Sequence, residues 1–332
     1  MCVYHGDYLT SDKINEAYKK LSQFVHQTPV MTSETTNRIV GKKVYFKMEN
    51  QQKTGAFKIR GALYKMMQLP EKLRRQGVIT ASAGNHAQGV AYAAKKANVK
   101  ATIYMPKHTP LNKVNATKAY GADVVLTGEN FDEAFQASLK ELDSGKVYIH
   151  PFDDYDVMAG QGTVAIELLH EINELDTIIV PVGGGGLISG IAVAAKNIKP
   201  TIKIIGVQSN LASPIYRSFR NIQLHVPSAI STIAEGIAVQ NPGKKTLPII
   251  ENYVDDIITV TDGEIACSIL YMLERNKTLV EGAGAAAIAA LFRYHQHIRS
   301  KQCGVIVSGG NIDIQQMTTI QEIAKKHYVQ TG

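Results

Sequence analysis

Two glycine-flanked stretches carry the residue types best suited to chemistry. In Thr54-Gly55-Ala56-Phe57-Lys58-Ile59-Arg60-Gly61 a single lysine, Lys58, sits among apolar neighbours between glycines. A lysine held out of water loses its charge more easily, and the neutral amine can condense with an aldehyde. In Val182-Gly183-Gly184-Gly185-Gly186-Leu187, four successive glycines join a strand-like run, Ile178 to Val182, to a helix-like run, Leu187 to Val193. Bare backbone N–H groups at a helix N-terminus close around an anion. Alone, Lys58 reads as a lysine snorkelling to water, whereas four glycines carry too heavy an entropy cost for a merely flexible loop and favour a phosphate cradle. A phosphate cradle and a desolvated lysine together suggest pyridoxal phosphate.

Other glycine motifs do not fit a nucleotide. A dinucleotide fingerprint needs glycines at its first, third and sixth positions, and no phase of Gly183 to Gly190 supplies them. The following strand ends in Gln208, where a ribose-binding acid would be wanted. Pro242-Gly243-Lys244-Lys245-Thr246 lacks the earlier glycine of a nucleotide phosphate loop, and Lys245 stands where its Gly-Lys-Ser/Thr step needs a hydroxyl.

Three further segments offer polar groups. Ser82-Ala83-Gly84-Asn85-His86 lies between a strand and a helix, where exposed amides form a nest for a carboxylate and Asn85 can bond an oxygen. It reads equally as an ordinary turn capped by Ser and Asn. His86 has no Ser or Cys nucleophile to serve and reads as structural. Ser308-Gly309-Gly310-Asn311 ends a buried strand, so Ser308 either meets a ring nitrogen or caps a helix. Glu281-Gly282-Ala283-Gly284-Ala285 sets an acid at a small-residue helix start. Asp153, Asp154 and Asp156 suit capping of the next helix better than a metal cluster.

The elements that must position these groups alternate. Strands are expected at Val78–Ser82, Ala101–Met105, Val124–Thr127 and Val147–His150, with helices at Ala87–Ala97, Leu111–Ala119 and Phe131–Leu142 between them. That alternation argues for βαβ units and a parallel sheet, hence an α/β fold. Earlier come helices over Ser11–Val25 and Ser33–Val40, a strand at Lys43–Lys47, and a helix from the Lys58 stretch to just before Pro70. Later come a helix at Val157–Ile172 and strands at Ile202–Val207, Asp256–Val260 and Val305–Ser308. Helices are expected at Gly263–Arg275, Gly282–Phe292 and Asp313–Lys325.

The 332 residues suit two lobes rather than one core. Hydrophobic content of 45% and charged content of 20% are ordinary for a globular protein. The net charge of +7 is spread over scattered basic pairs, without the basic block and aromatics of a nucleic-acid binder. Cys2, Cys267 and Cys303 are odd in number and far apart, as in a reducing cytoplasm. The opening residues lack the apolar core of a signal peptide, and the run Gly282 to Phe292 is too short to span a bilayer.

Six motifs in order now carry a resemblance: Lys53 to Gly61, Ser82 to Gly89, Ala159-Gly160-Gln161-Gly162-Thr163, the tetraglycine loop, Glu281 to Ala285, and Ser308 to Asn311. Over nearly the whole chain they resemble the short, catabolic-type threonine dehydratases of the pyridoxal-phosphate-dependent serine/threonine dehydratase family. The resemblance implies a two-lobed fold like the tryptophan synthase β subunit (fold type II), with parallel-rich sheets. It divides the chain into a large cofactor-binding domain, 1–49 plus 151–332, and a small domain, 50–150. It implies that Lys58 bonds the cofactor, with Phe57 against one ring face and Gly236 near the other. Gly183, Gly184, Gly185, Gly186 and Leu187 would hold the phosphate, Asn85 the ring hydroxyl and Ser308 the ring nitrogen. Glu281 would sit near the bond between lysine and cofactor and near the ring hydroxyl, and Ser82, Ala83, Gly84, Asn85 and His86 would take the carboxylate of a small amino-acid substrate. No metal is implied.

The chain departs from the family at Ala56, usually Ser, and at Glu235, usually Asp. Serine racemases share most of the motifs, and their proton-donating second serine and metal-site acids are Ala83, Gln208 and Pro214 here. Both differences favour elimination of water over racemisation. Cysteine synthase-like β-replacement enzymes carry a threonine-rich phosphate loop instead of Gly183 to Gly186. A ligand-sensing protein using the cradle for pyridoxal phosphate or a nucleotide would have no need of Lys58 and Ser308. Ending at Gly332, the chain is expected to lack the isoleucine-binding regulatory domain. Family members are homodimers or homotetramers, and short ones can be activated by AMP, for which no motif here reports a site.

Overall fold

The computed structural model describes residues 8–223 and 231–331. Cys2 and the opening heptapeptide lie outside them. Ten strands among the described residues are β1 (Val30–Met31), β2 (Lys43–Lys47), β3 (Val78–Ala81), β4 (Ala101–Met105), β5 (Asp123–Leu126), β6 (Val147–Tyr148), β7 (Thr177–Pro181), β8 (Lys203–Ser209), β9 (Asp256–Val260) and β10 (Gln302–Ile306). They form a six-stranded sheet, β1-β2-β10-β7-β8-β9, and a four-stranded sheet, β5-β4-β3-β6. Only the β1–β2 pair is antiparallel.

Alternate residues of the larger sheet feed two cores. Ile178, Val180, Ile204 and Ile306 face one hydrophobic cluster, while Ile179, Ile205, Val207 and Val305 face another. The first is covered by the helices Ser11–Leu21, Tyr155–Glu171 and Gly186–Ile198. The second is covered by Asp262–Asn276, Gly282–Tyr294 and Met317–Thr331. A sheet buried on both faces explains why β7 is apolar at nearly every position. The loops that leave the carboxyl ends of β3, β7 and β10 are the glycine-rich segments singled out above.

Differences from expectation lie mostly at element ends. β10 stops at Ile306 rather than Ser308, because the Ser308 carbonyl turns to accept the Phe57 N–H at 3.2 Å and Ala56 bridges Gly309. The first helix closes at Leu21, with Ser22 as its cap, although Val25 remains buried. The last begins at Met317 after a 3-10 turn, since the Asp313 side chain caps that turn through Gln315 N–H. Helices Glu71–Gln76, Pro214–Phe219 and Thr246–Tyr253 were not expected; at eight residues or fewer they show too little of a helical period. No helix of the described residues is long and apolar enough to cross a membrane.

Candidate active site

A cavity of about 1110 Å³ opens where the carboxyl ends of the two sheets meet. Phe57, Lys58, Ser82 to His86, Gly183 to Leu187, Gly236, Glu281 and Ser308 all line it. The structure therefore brings together every candidate named from the sequence.

Lys58 is the first residue of the helix Lys58–Gln68, and its Nζ donates to the Pro151 carbonyl at 2.7 Å. The Phe57 ring lies 5.2 Å from that nitrogen. Burial pushes the Lys58 ammonium down to about 8, while the Glu281 carboxylate pulls the other way. Two residues along, Arg60 anchors the same helix in a buried charge network. Its guanidinium donates to Glu49 Oε2 at 2.8 Å, to Glu167 Oε1 at 2.6 Å and to Thr163 Oγ1 at 3.1 Å. Lys47 Nζ completes the network against Glu167 at 2.6 Å. Two cations and two carboxylates balance there, and Arg60 and Lys47 hold Glu49 below the usual carboxylate range despite the opposing effect of burial.

The tetraglycine loop enters the helix Gly186–Ile198 through Gly185, whose φ of +97° suits glycine. No side chain caps that helix, so its leading N–H groups are available to an anion. The loop is fixed from behind: Thr246 Oγ1 donates to Gly184 O at 2.8 Å, and Gln208 Nε2 to Val182 O at 3.3 Å. Lys244, Lys245 and Thr246 aim their N–H groups at the Asp153 carboxylate, at 3.1, 2.8 and 3.2 Å. The nest at 243–246 is thus filled by the chain's own acid. Of the acidic turn, Asp154 caps the helix Tyr155–Glu171 and Asp156 pairs with Lys13 and Lys65.

Asn85 and Glu281 meet across the cavity floor. Asn85 Nδ2 donates to Glu281 Oε1 at 2.6 Å, and Asn85 Oδ1 accepts from Asn311 Nδ2 at 2.8 Å. Burial pushes the Glu281 carboxyl up to about 7, against the pull of the Asn85 donor and Lys113. Ser308 is buried just past β10. The Ser82 hydroxyl accepts from Gly84 N–H at 3.3 Å, and the helix Asn85–Ala97 begins at Gly84 without a side-chain cap. The His86 ring is neutral, pushed down to about 3 by burial, and its Nε2 bonds the Ile149 carbonyl. A carbonyl only accepts, so Nε2 carries the hydrogen and Nδ1, buried without a partner, carries a lone pair. The His86 ring consequently brings no donor to a substrate carboxylate; the Ser82–His86 donors reduce to backbone amides, Ser82 and Asn85.

This donor set fits a phosphorylated aldehyde: an uncapped helix N-terminus, a lysine of depressed basicity and an uncharged hydroxyl in one cavity. The model of a family described as pyridoxal-phosphate dependent enzyme matches residues 21–309. The chain belongs to that family. It is 43% identical over 325 residues to the L-threonine ammonia-lyase of Thermotoga maritima, covering 98% of this chain and 80% of that one. It is 41% identical over 313 residues to the catabolic L-threonine dehydratase TdcB of Escherichia coli K12, covering 93% and 95%. The structure of maize serine racemase superposes with a TM-score of 0.89 at 37% identity, covering 97% of this chain and all of that one. As a member of the family, this chain is an α/β, fold type II enzyme whose cofactor is pyridoxal 5′-phosphate.

Sequence reasoning missed the residues that hold this enzyme's site from outside it. Arg60 and Asn311 stood within motifs already singled out, and Arg60 between two apolar residues was a usable sign of a buried ion pair. Phe152 gave no local signal, and Asp153, expected to cap the next helix, instead accepts from the N–H groups of Lys244 to Thr246 while Asp154 makes the cap. Phe152 packs under the cradle, where a Cβ on Gly184 would come within 2.4 Å of its ring.

Proposed function

We propose that this chain is an L-threonine and L-serine ammonia-lyase, eliminating the β-hydroxyl and yielding 2-oxobutanoate or pyruvate with ammonia. The observation that carries the reading is Lys58: a buried amine poised near neutrality, in one cavity with an anion cradle and the Ser82–His86 amides. Bound pyridoxal phosphate would supply electron withdrawal from the substrate's Cα. The amides of Gly183 to Leu187 would hold its phosphate, Ser308 would meet the ring nitrogen and Asn85 the ring hydroxyl, and Phe57 and Gly236 would flank the ring, all of them residues of the cavity lining. Neutral Lys58 Nζ accepts the Cα proton, and the amides of the 82–86 segment orient the substrate carboxylate. Glu281, near half-protonation, holds or releases a proton beside Asn85. The hydroxyl leaves as water, and hydrolysis returns one water as ammonia departs.

Two residues favour elimination over the racemase alternative. Ala83 lines the cavity with a methyl group that has no proton to transfer. Gln208 spends its amide on Val182 O and on the Tyr216 N–H at 2.8 Å. To the same proposal belong a large domain of 1–49 plus 151–332 and a small domain of 50–150, supported by the two separate sheets. A cytoplasmic location, a homodimeric or homotetrameric assembly and an AMP effector belong to it as well. The test is keto-acid release from L-threonine and L-serine by the purified holoenzyme, alongside Lys58→Ala. Release by the parent and none by the variant is expected; release by Lys58→Ala would refute the role of the lysine.

A further inference from the structure

The described lining of the cavity carries only one lysine besides Lys58. This is Lys113, on the helix Leu111–Ala119 beside the four-stranded sheet. Its Nζ lies 2.9 Å from Glu235 Oε2, and the other Glu235 oxygen accepts from Gln316 Nε2 at 3.3 Å. The ion pair therefore spans the cleft, from the side of the small sheet to the side of the large one. The same lining holds four carboxylates, those of Asp132, Glu235, Glu281 and Asp313. Lys113 and Glu235 also act with opposite sign on Glu281, which places both within electrostatic reach of the reacting end of the cavity.

A substrate whose side chain bears a second carboxylate would meet this acidic wall, and the cation able to receive it is already engaged. We propose that Glu235 sets the side-chain charge this cleft accepts: by neutralising Lys113 it excludes amino acids with an anionic β-substituent and leaves the site to neutral β-hydroxy amino acids. The assignment deepens the ammonia-lyase reading and rests on it. It also gives a consequence to glutamate at a position where the family commonly has aspartate, since the extra methylene extends the carboxylate toward Lys113. The Glu235 side chain is 60% exposed, so added salt screens the pair and weakens the discrimination.

The experiment compares the parent holoenzyme, Glu235→Gln and the double variant Lys113→Met/Glu235→Gln on L-threonine and L-threo-3-hydroxyaspartate, whose dehydration yields oxaloacetate and ammonia. Glu235→Gln should raise kcat/KM for hydroxyaspartate relative to threonine about tenfold, a difference of about 1.4 kcal/mol, and the double variant should lose that gain. A ratio that moves less than twofold, or a gain that survives in the double variant, overturns the proposal. Calorimetric titration with L-aspartate, which has no β-leaving group, provides a readout independent of elimination. Its Kd should tighten in Glu235→Gln and relax again in the double variant, and no tightening overturns the proposal. Absence of keto acid from threonine with the parent enzyme would instead sink the ammonia-lyase reading, while the aspartate titration still decides the role of Glu235.

Discussion

Asn85 and Glu281, 196 positions apart in the chain, are joined by a hydrogen bond of 2.6 Å that exists only because residue 309 has no side chain. A Cβ on Gly309 would lie 2.3 Å from Glu281 Oε1 and 3.1 Å from Asn85 Nδ2. The pair sits where the loop after β3, the helix Gly282–Tyr294 and the loop after β10 converge.

Gly309→Ala should therefore displace the Glu281 carboxylate while leaving both cores intact. Keto-acid release is expected to fall by about tenfold or more, as misplacement of about 1 Å commonly costs at an active site. Far-ultraviolet circular dichroism should not change. Unaltered activity would show that the Asn85–Glu281 contact has no part in turnover.

Arg60 should be far more important to stability than its distance from the cavity suggests. Arg60→Met leaves Glu49 and Glu167 buried, with only Lys47 to offset them, at a cost of about 3–5 kcal/mol. Arg60→Lys should recover little, because one ammonium cannot reach both carboxylates and Thr163 as the guanidinium does. Urea unfolding of the three proteins measures this, and a loss below about 1 kcal/mol for Arg60→Met would contradict it.

Cofactor uptake should follow the protonation of Lys58. Only the neutral amine is nucleophilic, so the rate at which cofactor-free protein takes up pyridoxal phosphate should climb about tenfold per pH unit and level off above about 8. Glu281→Gln removes the anion that raises the Lys58 pKa, so its plateau should begin at lower pH. Absorbance at pH 6 to 9.5 tests both. A plateau that stays put or moves to higher pH in the variant would show that Glu281 does not govern the lysine.

Asp153→Ala should empty the nest at 243–246 and loosen Thr246 from Gly184 O. We expect cofactor affinity to drop about tenfold, with partial recovery in sulfate, since three converging N–H groups accept an anion. Fluorescence titration with pyridoxal phosphate gives the affinity. Unchanged affinity without sulfate would separate the nest from the cradle.

What the sequence determined by itself was local. Four glycines between an apolar run and a helix specify an anion cradle wherever they lie, because the geometry is set by neighbouring backbone. Alternating strands and helices likewise reported a parallel α/β fold, and β9 was placed at Asp256–Val260 as found. Ordered motifs then brought Lys58, Asn85, Glu281 and Ser308 into view as one site.

The tertiary structure decided the rest. Asp153 finds its amides about 92 residues away, Arg60 reaches Glu167 across 107 residues, and Asn311 reaches Thr54 across 257. Nothing in an acidic turn such as Asp153-Asp154-Tyr155-Asp156 distinguishes the residue that caps a helix from the one that fills a distant nest. The pairing of Lys113 with Glu235 likewise follows from the meeting of two sheets. Short-range patterns report what the backbone can do at one place, whereas burial and charge pairing depend on which surfaces the topology brings into contact.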